Sequence, residues 1–410
     1  MSDVKERPAA AAGRAPTKRY EARRNAIIAS AVEVVNRRGV RGMTLGDVTA
    51  SLDLVPTGVI YYFKNKEELA AAAFLRALER YEALIGEAMA HPEPAQVPAG
   101  VRAYFAFRRR VAEGQEEEIA LFNDVRALGC AGVNDAYVAM FRHARLLLPG
   151  CARLARDHRN TRAHLLLAQL SWATGWLDQW EPRDYPRVAE RMESVLLDGL
   201  AAGGRPLPAA RPIALVEPDR PAQRSSPELF LRAATQLIND EGYHGASVER
   251  ISAKLNVSKG AFYHHNETKD ELVEACFQRT FDIMWRAIRE AEAAGGSGLQ
   301  VLVTLAHALV AHQLVGDAPL LRTSALTTVP EAIRIRVMEQ IHRISLRFSS
   351  IVSDGIADGS IRPVDTAIAA QMVTGAVNAM AELHFWAPGV TADTVGEHVI
   401  QPLFAGLRTS

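Results

Sequence analysis

Two groups of residues carry side chains suited to a polyanion. In the first, Pro56, Thr57 and Gly58 precede Tyr61, Tyr62, Lys64 and Lys66; in the second, Ser258, Lys259 and Gly260 precede Tyr263, His264, His265 and Lys269. A lysine ammonium can donate to guanine O6 and N7, and a glycine lets backbone approach a base edge. Phenol and imidazole donors with lysines beside them suit phosphate oxygens, which position a protein without reading sequence. Nothing comparable points to catalysis, since no Ser/His/Asp grouping, phosphate loop or paired metal motif is present; no enzyme and no cofactor is expected. His143 and His342 lack clustered ligands, and His307 with His312 has the wrong spacing for one helical face, so no metal is expected either.

Those side chains need elements to hold them, and the flanking sequence supplies the same elements twice. The stretch 23–69 returns at a constant spacing as 229–272: Gly39 falls on Gly242, Gly42 on Gly245, Thr44 on Ser247, Val48 on Ile251, Leu52 on Leu255 and Lys66 on Lys269. Such internal repetition is the first feature to test for in a chain of this length. In each copy Ile27, Ala31, Val34 and Val35, or Ala233, Leu237 and Ile238, recur at helical spacing and stop at a glycine able to take positive φ. Thr44 and Ser247 are good N-caps for a second helix. After a tight turn, Pro56 or Ser258 opens a third. Two helices joined by a tight turn, the second opening on small polar residues, describe a helix-turn-helix.

At these residues the resemblance becomes specific. The string VSKGAFYHH, 257–265, followed by Lys269, Asp270, Glu271 and Leu272, resembles the DNA-binding domain of the TetR family of bacterial regulators, and VPTGVIYYFKNKEEL in the first copy resembles the same signature. The copies depart from it at Ile60, where the family has tyrosine, and at Asn266, where it has phenylalanine. The resemblance implies recognition helices from Pro56 and Ser258 entering successive major grooves about 34 Å apart. Thr57, Gly58, Lys259 and Gly260 would approach base edges, and Tyr61, Tyr62, Tyr263, His264 and His265 would touch phosphates. Lys64, Lys66 and Lys269 would add charge there. The alternative for the aromatics is packing between the third and fourth helices.

The chain has 410 residues, zero formal net charge, 48% hydrophobic residues and three cysteines. That length accommodates two modules. A balanced total hides an uneven distribution: Arg14, Lys18, Arg19, Arg23, Arg24, Arg37, Arg38 and Arg41 crowd the beginning, whereas the second copy mixes bases with Asp240, Glu241 and Glu249. The basic arm either tracks phosphates or is a solvated tail. Cys130, Cys151 and Cys276 have no paired spacing and read as reduced thiols. With no run of about eighteen uncharged apolar residues and no signal peptide, a soluble cytoplasmic protein without membrane attachment is expected.

Beyond each helix-turn-helix the sequence is helical without strand alternation. Helices are expected at 68–89, 104–112, 117–128, 135–148, 164–180 and 185–200, and at 271–293, 299–315, 319–326, 331–355, 364–386 and 391–407. Ala168-Gln169-Leu170 answers Ala370-Gln371-Met372, and Trp180-Glu181-Pro182 answers Trp386-Ala387-Pro388, so the repeat runs into these bodies. The proline-rich stretch 203–225 reads as an extended linker. Trp172, Trp176 and Trp180 would share one helical face, lining a pocket or packing in the core. Phe105 and Phe122 are further candidates for a pocket, with Arg108-Arg109-Arg110 either holding an anionic head group or solvated.

The expected fold is all-α, with two tandem TetR-like modules forming an intrachain pseudo-dimer: DNA-binding domains at 18–70 and 226–273, helical ligand-binding domains at 71–202 and 274–410, and a linker at 203–225. The resemblance implies a ligand-responsive repressor that binds double-stranded operator DNA and a small, largely apolar or aromatic effector. Unlike recognition helices would select an asymmetric operator. The competing reading is a helical small-molecule-binding protein that has lost DNA binding.

Overall fold

The computed structural model describes residues 17–148, 150–203, 206–215, 227–260, 268–315, 319–327 and 329–408. Among them there are helices and no strand, apart from one isolated antiparallel bridge between Ala201 and Ile361.

The first DNA-binding unit comprises α1 (Lys18–Gly42), α2 (Leu45–Thr49) and α3 (Pro56–Val59), with α4 (Lys66–Met89) leading into the body. Thr17 caps α1, and Gly39 breaks it at φ 68° and ψ 170°. A side chain rarely tolerates that backbone, which is why glycine stands there. The Thr44 hydroxyl accepts from the Asp47 N–H while the Asp47 carboxylate accepts from the Thr44 N–H, a reciprocal capping box that fixes the start of α2. Pro56 occupies the first turn of α3. Asn65 caps α4, and the Lys64 N–H donates to Glu68 at 2.8 Å. Ile27, Ala31, Val48, Val59, Phe63 and Leu69 form the buried centre of this unit.

The first body adds α5 (Gln96–Ala112), α6 (Ala131–Ala144), α7 (Arg156–Ala173) and α8 (Tyr185–Asp198). The second half repeats the plan with α9 (Pro227–Gly245), broken at Gly242 with φ 74° and ψ 170°, and α10 (Val248–Leu255), capped by Ser247. Its body contains α11 (Lys269–Ala294), α12 (Gly298–Val315), α13 (Glu331–Ala357) and α14 (Thr366–Ala379), followed by the short helices Leu383–Trp386 and Gln401–Ala405.

Several expected helices are shorter or broken. The segment 117–128 is helical only as a 3-10 stretch over Phe122–Leu128, because Glu116, Glu117 and Glu118 turn back to pair with Arg80, Arg76 and Arg108. The expected helix 164–180 begins earlier, at Arg156, and ends at Ala173; Leu177–Gln179 is a separate 3-10 turn, so the three tryptophans do not share one helical face. The segment 319–326 holds only a 3-10 turn, Thr323–Thr327. Residues 391–407 contain a π-helical turn at Gly396–Ile400. Contrary to the sequence expectation, α12 is an uncharged, apolar helix long enough to cross a membrane, but most of it is buried between neighbouring helices as a core element.

The two bodies pack on each other through α7 and α8 of one and α14 and the last helices of the other, a four-helix contact. Its polar bonds reach backbone across the contact: Asn160 Nδ2 donates to the Trp386 carbonyl (2.6 Å), Gln169 Nε2 to Met372 (2.7 Å) and Arg362 to the carbonyls of Gly199 and Ser194 (both 2.8 Å). Arg191 pairs with Asp365. The Phe141 and Trp386 rings stack at 3.7 Å. Gly199, at φ 65°, allows the Leu200 and Ala201 N–H groups to donate to the Phe404 carbonyl, and a Cβ at Gly199 would lie 2.2 Å from that oxygen. Within the linker, the segment 206–215 runs along the second body, where Gln300 Nε2 donates to Ala209 O at 2.8 Å and Leu215 is buried.

Candidate nucleic-acid interface and effector cavity

In the first unit, Pro56, Thr57, Ile60, Tyr61 and Lys64 face solvent together, with Tyr61 75% exposed and Gly58 half-buried. This cluster is an exposed edge of apolar, aromatic and cationic groups. Tyr62 differs: its ring sits 4.9 Å from that of Tyr20 on α1, and both touch Tyr61. Tyr62 therefore also packs α3 onto α1, rather than between the third and fourth helices as the alternative reading of the sequence has it. Lys66 is turned inward, its ammonium donating to the carbonyls of Arg41 and Met43 at 3.2 Å each. It satisfies carbonyls freed where α1 ends. Thr44 is exposed but committed to its capping box.

The second unit presents Ser258, Lys259 and Gly260 at an exposed surface. Tyr263, His264 and His265 lie outside the described residues. Lys259 Nζ stands 2.5 Å from Glu249 Oε1 in the first turn of α10. That bond holds the Glu249 carboxyl down to about 2. The overlay puts Gly46 and Pro56 at these two positions, so the first unit has no such pair. Lys269 repeats the role of Lys66, donating to the Tyr243 carbonyl and lying 3.9 Å over the Tyr243 ring; burial lowers its pKa. Both lysines thus stabilise the turn that precedes the second helix.

The two units touch each other. Arg41 pairs with Glu241 at 2.8 Å, and a Cβ on Gly42 would come 2.5 Å from the His244 ring. Within the units a matched ion pair is reversed: Arg38 holds Asp47 at 2.7 Å in the first, while Glu241 holds Arg250 in the second. The signal lies in the sequence as a cation and an anion exchanged at overlaid positions, apart from the glycines and apolar residues that mark the repeat.

A cavity of about 310 Å³ opens in the first body, lined by Tyr81, Phe122, Trp172 and Trp176 and closed from the second body by Gln371 and Trp386. Of the residues offered as pocket candidates, Phe122, Trp172 and Trp176 line this cavity. Phe105 does not: it is buried in α5 away from this cavity, beside Arg102, Arg109 and Pro186. The arginine run offers no anion site, because Arg108, Arg109 and Arg110 are paired with Glu118, Glu113 and Glu116. Burial drives the Cys276 thiol up to about 12, leaving it unreactive.

Two helix-turn-helix units carried on helical bodies define a DNA-binding transcriptional regulator. The domain described as "Bacterial regulatory proteins, tetR family" matches at 27–73 and again at 230–276, and "Tetracyclin repressor-like, C-terminal domain" matches 278–407. The chain belongs to the TetR family, with two tandem N-terminal modules. Similar proteins include the Transposon Tn10 TetC protein of Escherichia coli, 26% identical over 157 residues, 37% of this chain and 76% of that protein. The HTH-type transcriptional repressor KstR2 of Mycolicibacterium smegmatis is 24% identical over 208 residues, 47% of this chain and 96% of that protein. Among solved structures, SCO3833 of Streptomyces coelicolor A3, a TetR family member, is 26% identical with a TM-score of 0.36, covering 44% of this chain and 91% of that one.

Proposed function

We propose that the chain is a ligand-responsive transcriptional repressor, acting in the cytoplasm as a covalent pseudo-dimer on an asymmetric operator. The observation that carries this reading is the direct seating of one DNA-binding unit on the other at Arg41 and Glu241, with unlike exposed residues at the two recognition helices. Operator symmetry mirrors protein symmetry, so two unlike units in fixed order call for two unlike half-sites. The proposed division keeps DNA-binding domains at 18–70 and 226–273 and effector-binding bodies at 71–202 and 274–410, joined by 203–225. Base edges fall to Thr57, Gly58, Lys259 and Gly260. Phosphates fall to Tyr61 and Lys64 in the first unit and to Tyr263, His264 and His265 in the second. Lys66 and Lys269 support these surfaces from within. The cavity supports control by a small, largely apolar effector.

Selection of bound fragments from the source genome with the purified chain tests the proposal. The expected product is a site with two unlike half-sites, in which Lys259→Ala relaxes base preference in one half and Thr57→Ala in the other, by about 1–3 kcal/mol for a good base contact. A palindrome on which both substitutions act equally would refute it. The Glu249–Lys259 pair favours one competing reading, a binding protein without DNA affinity; absence of salt-dependent DNA binding would establish that instead.

A further inference from the structure

The two bodies descend from one plan, yet their cavities differ sharply. Tyr81, Trp172, Gly175 and Trp176 line the space of about 310 Å³ in the first body. The shift that lays Lys66 on Lys269 puts Met284 opposite Tyr81, and the shift that lays Gln169 on Gln371 puts Thr374, Val377 and Asn378 opposite Trp172, Gly175 and Trp176. These counterparts line a corresponding space in the second body of only about 40 Å³. The first volume suits a small organic molecule, and the second holds no more than a few waters at roughly 10–15 Å³ each.

Trp172 accounts for part of the difference. Its indole lines both spaces, and it stands where a Cβ on Gly375 would come within 2.6 Å of its Cδ1. The ring crosses the contact between bodies and occupies room on the far side. Phe277 and Phe281 of α11 fill more of the second space.

The polar groups around the larger cavity limit its ligand. Its charged side chains, Arg322 and Glu382, pair with each other at 2.8 Å and are only 12% and 18% exposed. His164 is fully buried, bonds the Ala379 carbonyl at 2.8 Å and has its pKa lowered by desolvation, so it is neutral. A charged ligand would find no unpaired counter-charge, and its desolvation would go uncompensated.

We propose that the chain binds one uncharged, largely apolar molecule, in the first body only, behind a wall completed by the second body. This deepens the effector reading above and rests on it for any effect on DNA. It replaces one site per module by one site per chain.

Fluorescence titration of the full chain with N-phenyl-1-naphthylamine tests it, with 1-anilinonaphthalene-8-sulfonate as a near-isosteric anion. The expected result is one neutral probe per chain, energy transfer from tryptophan, and at least tenfold weaker binding of the sulfonate. Ser171→Trp, which fills the larger cavity, should weaken the probe at least tenfold, as should Ala168→Phe if the first variant does not fold. Met284→Phe, in the smaller space, should leave one site. Two probes per chain, no binding, equal binding of the sulfonate, or full affinity in both filled variants each overturns the inference. Binding of one probe with no change in operator affinity would leave the site standing and remove only its role as an effector site.

Discussion

Glu249→Gln should strengthen DNA binding and change its salt dependence. In the native chain Lys259 is held 2.5 Å from a carboxylate that stays ionised down to about pH 2, so the lysine is neutralised within the protein. Both groups are solvent-exposed, so the consequence is read in ion release rather than in folding stability. A freed Lys259 neutralising one further phosphate adds about 0.9 to the magnitude of the slope of log K against log salt. Between 50 and 200 mM salt, the variant should therefore lose about 3.5-fold more affinity than the native chain, while binding more tightly at the lower concentration. Fluorescence anisotropy with one labelled operator over that range measures both quantities. Lys259→Ala is the control: the pair with Glu249 takes up the charge of Lys259 and one of its three donors, so losing the lysine should leave the native slope almost unchanged even though a remaining donor reads a base edge. Equal slopes for the native chain and Glu249→Gln would refute the claim that Glu249 cancels the charge of Lys259.

Gly199→Ala and Gly242→Ala impose the same backbone strain, since both glycines lie at φ near +70° with extended ψ, but only Gly199 meets neighbouring backbone. The first should cost about 2 kcal/mol more in urea unfolding, the worth of two bonds to the Phe404 carbonyl; equal costs would contradict this account of the contact between bodies. The depressed pKa of His164 means that the unfolded chain takes up its proton first, so stability should fall as pH drops below about 6.5, and His164→Asn should flatten that dependence. Cleavage at a protease site inserted within 216–226 should leave the halves co-eluting in gel filtration at micromolar concentration; separation would show that the four-helix contact needs its tether.

Much of this architecture was legible because local chemistry dictates it. Gly39 and Gly242 had to be glycine at a helix end, Thr44 and Ser247 had to cap, and the landmark Gln169 against Gln371 located the helices that pack between bodies. What stayed hidden depended on distant partners. Trp172, Trp176 and Trp180 have helical spacing, but the helix ends at Ala173, and the cavity takes two of the three through a turn. Lys66 and Lys269 look like phosphate ligands until the carbonyls they bind are in view. The run of α12 does not stand out as apolar because its threonine, glutamines and histidines interrupt it, although no Asp, Glu, Lys or Arg does.

The exchanged ion pair bears on how the chain keeps its identity among relatives. Glu241 occupies the place of Arg38, and His244 that of Arg41. If two first copies from separate chains met as these two copies do, Arg41 would confront Arg38, cation against cation; only the unlike copy offers it a carboxylate. A homodimer cannot make this distinction, because any charge inverted on one subunit is inverted on its mate. When two copies share a chain, each can diverge against the other, and the Arg41–Glu241 junction then selects the unlike copy over a second like one.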